Sequence, residues 1–262
     1  MKAAPFAYAK PSTVAQALEL LERHGDDARV LAGGQSLLPS LNMRLSSPSL
    51  LVDIGALDEL GGIAVLDGHL RIGALVTHAA LQRSAEVAKH VPLLAQAVPH
   101  VAHPAIRNRG TLGGSLALAD PAAEYPACAV ALDARIVLRS RKGERRVRAV
   151  EFFKGLFETD LRPGEILAAA EFPLAKPGDA SVFLELARRH GDYAIVGLAA
   201  WRGERPKAQT RFVFLNVGPK PALVKDVEEL DPTPDLYNTA ATKKHLARVL
   251  MERAWSTLST SR

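Results

Sequence analysis

Apolar residues fall at Val14, Ala17, Leu18 and Leu21 with mostly polar residues between them, and Ser12-Thr13 stand before them as a cap. This spacing puts all four on one helical face and predicts an amphipathic helix over 14–23. Short extended runs follow at 29–31 and 50–54, and 63–72 reads as a hairpin turning at Asp67-Gly68. Helices are expected over 77–84 and from Pro92 to about Val98, the second closed by Pro99. Asp120-Pro121-Ala122-Ala123-Glu124 reads as a helix start, with proline early and acids in the first turn.

In the last third, 181–187 and 211–217 read as strands, whereas 194–201 is so uniformly apolar that its pattern does not separate strand from helix. A final helix is expected over 243–258, with Leu246, Val249, Leu250 and Trp255 as its main apolar positions. Pro173, Pro177 and Gly178 break any regular element between these halves. The pattern predicts an α+β fold in two domains, 1–175 and 179–262.

Composition narrows the class. With 262 residues, 48% of them apolar, the chain can bury a substantial core. No run approaches the roughly 18 apolar residues of a membrane span, and the start Met1-Lys2-Ala3-Ala4-Pro5-Phe6 lacks the apolar core of a secretory signal. The expected location is the cytoplasm. Cys128 is the single cysteine, which excludes an intramolecular disulfide and an iron–sulfur cluster held by this chain alone. Any such centre must sit on another polypeptide. The net charge is +5, and Arg135, Arg139, Arg141, Lys142, Arg145, Arg146 and Arg148 crowd one stretch. A hairpin with a solvated basic tip explains that stretch better than nucleic-acid binding, because 5% aromatic residues leave few stacking platforms. A docking surface for a partner is the other reading.

The most informative chemistry lies in two glycine loops, Ala32-Gly33-Gly34-Gln35-Ser36 and Thr111-Leu112-Gly113-Gly114-Ser115. Glycine allows backbone N–H groups to turn toward a ligand at close range, and successive N–H groups form an anion-binding concavity. Two such loops suggest a diphosphate gripped from two sides. Neither matches a dinucleotide G-x-G-x-x-G or a Gly-Lys-Ser/Thr phosphate loop. The eight histidines show no metal spacing, no G-x-S-x-G elbow is present, and Cys128 sits in an apolar run suited to an inert core thiol. Asp120 and Glu124 read either as acceptors for a cofactor or as first-turn acids answering the helix dipole. Arg188-Arg189-His190-Gly191-Asp192-Tyr193 reads as a solvated turn with a buried tyrosine.

Several motifs, in order along the chain, resemble the FAD-binding medium subunit of molybdenum hydroxylases, the group that includes carbon monoxide and xanthine dehydrogenases. They are 32–39 with Met43-Arg44-Leu45, 72–78, 106–115 with Asp120-Pro121, and Arg188 to Gly197. The resemblance implies a p-cresol methylhydroxylase-type FAD-binding domain of two small α/β subdomains, about 1–55 and 56–175, followed by an α+β C-terminal flavoprotein domain. It also implies that Ala32, Gly33, Gly34, Gln35, Ser36 and Leu37, with Gly110, Thr111, Gly113, Gly114 and Ser115, hold the FAD diphosphate. Val101, Ala102 and Ile106 would line the adenosine side, Glu124 would contact the flavin end, and Leu167 and Tyr193 would pack on the isoalloxazine ring. No protein side chain is implied as a catalyst and no metal as a ligand.

The partners so implied are an iron–sulfur small subunit and a molybdopterin large subunit, in a dimer of heterotrimers, with the flavin passing electrons to an external acceptor. Two departures stand out. Leu184 and Glu185 occupy the strand where some relatives place a lysine near the ring, and the C-terminal domain looks shortened after Pro221-Ala222-Leu223-Val224. The competing readings are a free-standing flavin oxidase or reductase and a non-catalytic nucleotide-binding module.

Overall fold

The computed structural model describes residues 2–204 and 210–260. Its first unit places β1 (Ala7–Ala9), β3 (Leu50–Asp53) and β2 (Ala28–Leu31) in a parallel sheet in that order, with α1 (Val14–His24) and α2 (Leu37–Asn42) as connections. The Thr13 side chain caps α1 by accepting the Gln16 N–H at 3.2 Å. The expected apolar face of α1 is fully inside, where Val14, Ala17, Leu18 and Leu21 pack with Val52 and Ile54. Each large side chain so buried contributes on the order of 1.5–3 kcal/mol.

A second, antiparallel sheet has the order β4-β5-β10-β6-β7. Its strands are β4 (Ile63–Leu66), β5 (His69–Gly73), β6 (Arg135–Ser140), β7 (Gly143–Arg148) and β10 (Ile166–Pro173). Positive φ at Asp67 and Gly68, 49° and 74°, makes the predicted turn of the β4–β5 hairpin. Between β5 and β6 run α3 (His78–Arg83), α4 (Ala85–His90), α5 (Pro92–Ala97), α6 (Pro104–Arg107), α7 (Leu112–Leu118) and α8 (Glu124–Ala131). After β7 come α9 (Ala149–Phe152) and the small hairpin of β8 (Phe153–Gly155) and β9 (Glu158–Thr159). The expected helix start at Asp120 is instead a turn. The Asp120 carboxylate accepts the Ala122 N–H at 2.9 Å, and the helix itself begins at Glu124.

The third sheet runs β11 (Ala180–Ala187), β12 (Ala194–Arg202), β13 (Arg211–Leu215), β14 (Ala222–Val224), and the long helix α10 (Ala240–Thr260) lies on it. The uniformly apolar 194–201 segment is the strand β12. Its pattern carries no alternation because both faces are covered: Ala199 joins the core around α5 and α8, while Val196, Leu198 and Ala200 face α10. The buried stripe of α10 is Lys243, Ala247, Leu250, Ala254 and Leu258, with Leu246 packed beside it, so the expected face holds at Leu250 and Leu246 and fails at Trp255. Trp255 is 53% exposed, with its ring 5.8 Å from that of Phe212. Small alanines let the helix approach the sheet closely, which a search for large apolar residues does not detect.

The basic stretch is the expected hairpin, β6–β7, with residues 141–144 exposed at its tip, but most of its arginines are paired. Arg139 pairs with Glu59, Arg141 with Glu22, Arg145 with Glu165 and Asp160, Arg146 with Glu171 and Glu144, and Arg148 with Asp133. Acids from distant positions answer these guanidiniums, leaving a lattice of alternating charge.

Candidate functional site

The first glycine loop leaves the end of β2 and turns into α2. Gly34 takes φ +74°, a conformation favoured by glycine, and the amides of Gly33, Gly34, Gln35, Ser36 and Leu37 donate to no acceptor among the described residues. Ser36 precedes α2 without capping it, which leaves its hydroxyl available. This loop is a concavity of unspent donors.

The second loop is built differently. Its Leu112 and Gly113 amides donate to Val76 and Ala74 carbonyls at 3.0 and 2.9 Å, the Gly114 amide to Thr111 Oγ1 at 3.1 Å, and the Ser115 amide to the Thr111 carbonyl at 3.1 Å. The expectation that both loops present amides is therefore narrowed: in the second loop the amides of Leu112 to Ser115 are spent, and within 111–115 only the Thr111 amide has no acceptor among the described residues. Thr111 Oγ1 accepts the Gly114 amide and so caps α7, which leaves its O–H as a donor, and Ser115, on the first turn of that helix, brings a second hydroxyl to the groove.

Most glycines here serve packing. A Cβ at Gly33 would stand 2.1 Å from the Arg109 carbonyl oxygen, one at Gly110 2.6 Å from the His78 ring, and one at Gly113 2.4 Å from the Ala74 side chain. Gly114 is different, since its Cβ would meet only Thr111 Oγ1, at 3.0 Å.

Between the loops lies a groove of about 890 Å³. Every residue anticipated from the sequence lines it: Ala32 to Leu37, Val101, Ala102, Ile106, Gly110, Thr111, Gly113, Gly114, Ser115, Glu124, Leu167 and Tyr193. At one end Asp120, Glu124 and Asp192 lie close enough to Tyr193 for their charges to raise its phenol's pKa, after burial, the larger cause. Tyr193 is nevertheless 70% exposed, so the expected buried tyrosine is instead an aromatic ring standing at the mouth. Ala102 and His103 abut the same turn, because a Cβ at Gly191 would fall 2.7 Å from the Ala102 carbonyl oxygen and 2.8 Å from His103 Nδ1.

Electrostatics single out this end. Burial, then the charge of Glu185, pushes the Glu124 carboxyl up to about 8, and burial raises Asp120. His78 also lines the groove. Burial and the nearby Arg107 cation lower it to about 4, and its Nδ1 has no hydrogen-bond partner. A neutral imidazole with an unspent nitrogen suits a polar ligand better than it suits a metal-free core. His78, Leu75, Phe157 and Arg162 were not anticipated as lining residues, although His78 closes the 72–78 motif. Leu75 lies in the same motif, whereas Phe157 and Arg162 arrive from a segment that only the fold brings to the groove. Cys128 is fully buried in α8, where burial and then Glu124 push its thiol well up, as suits an inert core residue.

Residues 4–175 match the family model described as the FAD binding domain in molybdopterin dehydrogenase. The chain belongs to this family. It is 38% identical over 278 residues to the alpha subunit of the 6-hydroxypseudooxynicotine dehydrogenase complex of Paenarthrobacter nicotinovorans, covering 97% of this chain and 94% of that protein. It is 36% identical over 216 residues to the carbon monoxide dehydrogenase medium chain of Hydrogenophaga pseudoflava, covering 82% of this chain and 75% of that one. Among solved structures, carbon monoxide dehydrogenase from the same organism superposes with a TM-score of 0.94 at 32% identity, covering 100% of this chain and 99% of that chain. Quinoline 2-oxidoreductase from Pseudomonas putida 86 gives a TM-score of 0.92 at 36% identity, covering 100% and 99%.

FAD fits what the chain offers. A diphosphate needs several N–H donors within a tight radius, and the first loop supplies a run of unspent amides beside the Ser36 hydroxyl. The remaining length of the groove is mixed in character, with Leu167 4% exposed and Val101 8% exposed at its wall and carboxyls at one end. That is the lining an apolar ring with a polar edge requires. Among the described residues no helix is long and apolar enough to cross a membrane.

Proposed function

We propose that this chain is the FAD-holding subunit through which a cytoplasmic molybdenum hydroxylase delivers electrons to an external acceptor. Its partners in this reading are an iron–sulfur small subunit and a molybdopterin large subunit, arranged as a dimer of heterotrimers. The observation that carries it is the pairing of a cradle of free amides at 33–37 with a carboxyl-lined end under Tyr193. Bound FAD supplies the exchange between two-electron and one-electron transfer that such an outlet needs.

The chain's own residues then have assignable tasks. The amides of 33–37 with the Ser36 and Ser115 hydroxyls hold the diphosphate, and Gly114 keeps the opposite wall low enough for close approach. Leu167 supports one ring face and Tyr193 covers the mouth. Val101 and Ile106 line the adenosine side, and contact with the Gly191 turn brings Ala102 toward the end where Tyr193 stands. Thr111 fixes the first turn of α7 as an acceptor and offers its remaining O–H to the diphosphate. We treat 1–175 as the FAD-binding domain and 179–262 as the C-terminal domain that brings Tyr193 to it.

Cys128, sealed in the core, offers no cluster ligand, so the relay of single electrons falls to another polypeptide. Purification of the chain alone and with its co-expressed neighbours tests the reading. Flavin absorbance in the isolated chain, with iron, sulfide and molybdenum only in the co-purified complex, is the expected result. A chain that takes up no added FAD would overturn it, and substrate-dependent bleaching of the isolated chain's flavin would favour a free-standing oxidase.

A further inference from the structure

We propose that Glu185 and His100 form a proton line leading from the solvent-facing His190 to Glu124 in the wall of the groove. The inference rests on the FAD reading and concerns how the groove is supplied with protons.

The placement begins with the strand ladder. Glu185 of β11 lies opposite Gly197 of β12, which pairs with Leu215 of β13, and Leu215 belongs to the core around α8. Glu185 thus stands on the same face of the sheet as Leu215, the face that α5 covers at β11 and α8 covers at β12 and β13. Its side chain is only 3% exposed and its Oε2 has no hydrogen-bond partner. A buried carboxyl without a donor is costly and calls for a role.

The nearest base is His100, whose Nδ1 lies 4.0 Å from that oxygen. One bridging water or a small side-chain rotation spans this gap. The His100 ring packs on Phe183 at 5.2 Å and meets the His190 ring at 6.3 Å, and His190 is exposed. At the inner end Glu124 senses the charge of Glu185 and lines the groove.

The protonation preferences suit transfer in this direction. Burial holds Glu185 near 7 and, with Glu185, holds Glu124 near 8, while burial and His190 lower His100. Glu124 keeps its proton while Glu185 titrates, so Glu185 feels burial alone. The other charged or titratable groups around the line are Asp120, Tyr125, Cys128 and Tyr193 beside Glu124, Arg107 and His78 beside Tyr125, and Asp192 with Arg188 at the Tyr193 turn. None of these makes a hydrogen bond or ion pair with the Glu185 carboxylate.

In each cycle the Glu124 O–H bond breaks as an acceptor in the groove takes the proton. Glu185 then passes its proton to the Glu124 carboxylate, His100 passes one from its ring to Glu185, and solvent recharges His100 by way of His190. No electron moves along the line, and its net result is one proton carried from bulk water to the groove.

The test uses the full chain loaded with FAD, reduced by light in weak buffer, with proton uptake followed by an indicator dye. Glu185→Gln and His100→Phe should each retain FAD and slow proton uptake roughly tenfold or more. Uptake that keeps pace with the unmodified chain in both variants would overturn the proposal. If the variants fail to fold, the infrared carboxylic-acid band of the unmodified chain decides, and it needs no flavin. That band should fade as pH rises through about 7 to 8, whereas carboxyls already ionised at lower pH would refute the line. Failure to bind FAD at all counts instead against the functional reading.

Discussion

Gly33 and Arg109 meet where the two glycine loops cross, and a Cβ on Gly33 would lie 2.1 Å from the Arg109 carbonyl oxygen. Backbone faces backbone there, so neither side can rotate away. Gly33→Ala should therefore force the loops apart at a cost of about 1–3 kcal/mol and lose FAD affinity as a consequence. Gly114→Ala meets a single hydroxyl oxygen at 3.0 Å and should melt within about 0.5 kcal/mol of the unmodified chain while binding FAD more weakly. Thermal melts of the flavin-free chain, paired with FAD titrations, separate the two effects. A Gly33→Ala chain with unchanged melting temperature would show that the junction yields.

The Glu124 carboxyl gives a pH signature. Its ordinary value is 4.5 and burial with the Glu185 charge raises it to about 8, so between these values the folded chain holds a proton that the unfolded chain has released. Stability then falls as pH rises across that window, and below 4.5 the group contributes nothing. Glu124→Gln should melt higher than the unmodified chain at pH 8, by on the order of a few kcal/mol, with the advantage vanishing toward acid. Equal melting temperatures at every pH would mean that the carboxyl is solvated.

How much of this was legible in the sequence depends on the range of the interaction. Local signals were clear: Thr13 and the Val14–Leu21 stripe, the Asp67-Gly68 turn, and both glycine loops are set by residues within a few positions of one another. The division of labour between the loops was not. Whether the Gly113 amide is free depends on the carbonyl of Ala74, nearly forty positions earlier, and whether Gly33 tolerates a side chain depends on Arg109. Arg141 read as part of a free basic tip because its partner Glu22 is over a hundred residues away. Tyr193 read as buried because its neighbours are apolar, yet the turn at Gly191 directs the ring outward. Long-range packing decides which donors, charges and rings remain for a ligand, and a single sequence does not display it.

Glu171 tests the charge lattice. Burial alone would raise its carboxyl, but Arg146 and Arg71 overcome that and hold it below the usual carboxylate range, with contacts of 3.0 and 2.7 Å. Glu171→Gln leaves Arg71 and Arg146 with Glu144 as their shared carboxylate at a partly solvated surface and should destabilise the chain by about 1 kcal/mol. Because its folded value is depressed, the native carboxylate's contribution is present above the ordinary value of 4.5 and disappears as pH falls through the lowered one. The gap between variant and unmodified chain should therefore close in acid. A pH-independent gap in chemical denaturation would assign the loss to packing instead.

Tyr193 separates function from stability most cleanly. Its ring is 70% exposed, so little packing is lost on truncation, and Tyr193→Ala should melt within about 0.5 kcal/mol of the unmodified chain. The residue nevertheless stands beside Glu124 and Asp120 at the groove mouth, where an aromatic face can cover a flavin ring and limit access from solvent. Loss of that cover should brighten the bound flavin's fluorescence and speed its reoxidation by oxygen, roughly several-fold, with FAD occupancy retained. Tyr193→Phe keeps the ring and should restore the slow reoxidation, because the cover depends on the aromatic face, while its flavin stays bright, because a phenyl ring lacks the electron-rich phenol that quenches an excited flavin. Brightness and reoxidation rate unchanged in the alanine variant would remove Tyr193 from the ring end of the groove and, with it, the assignment of that end to the flavin.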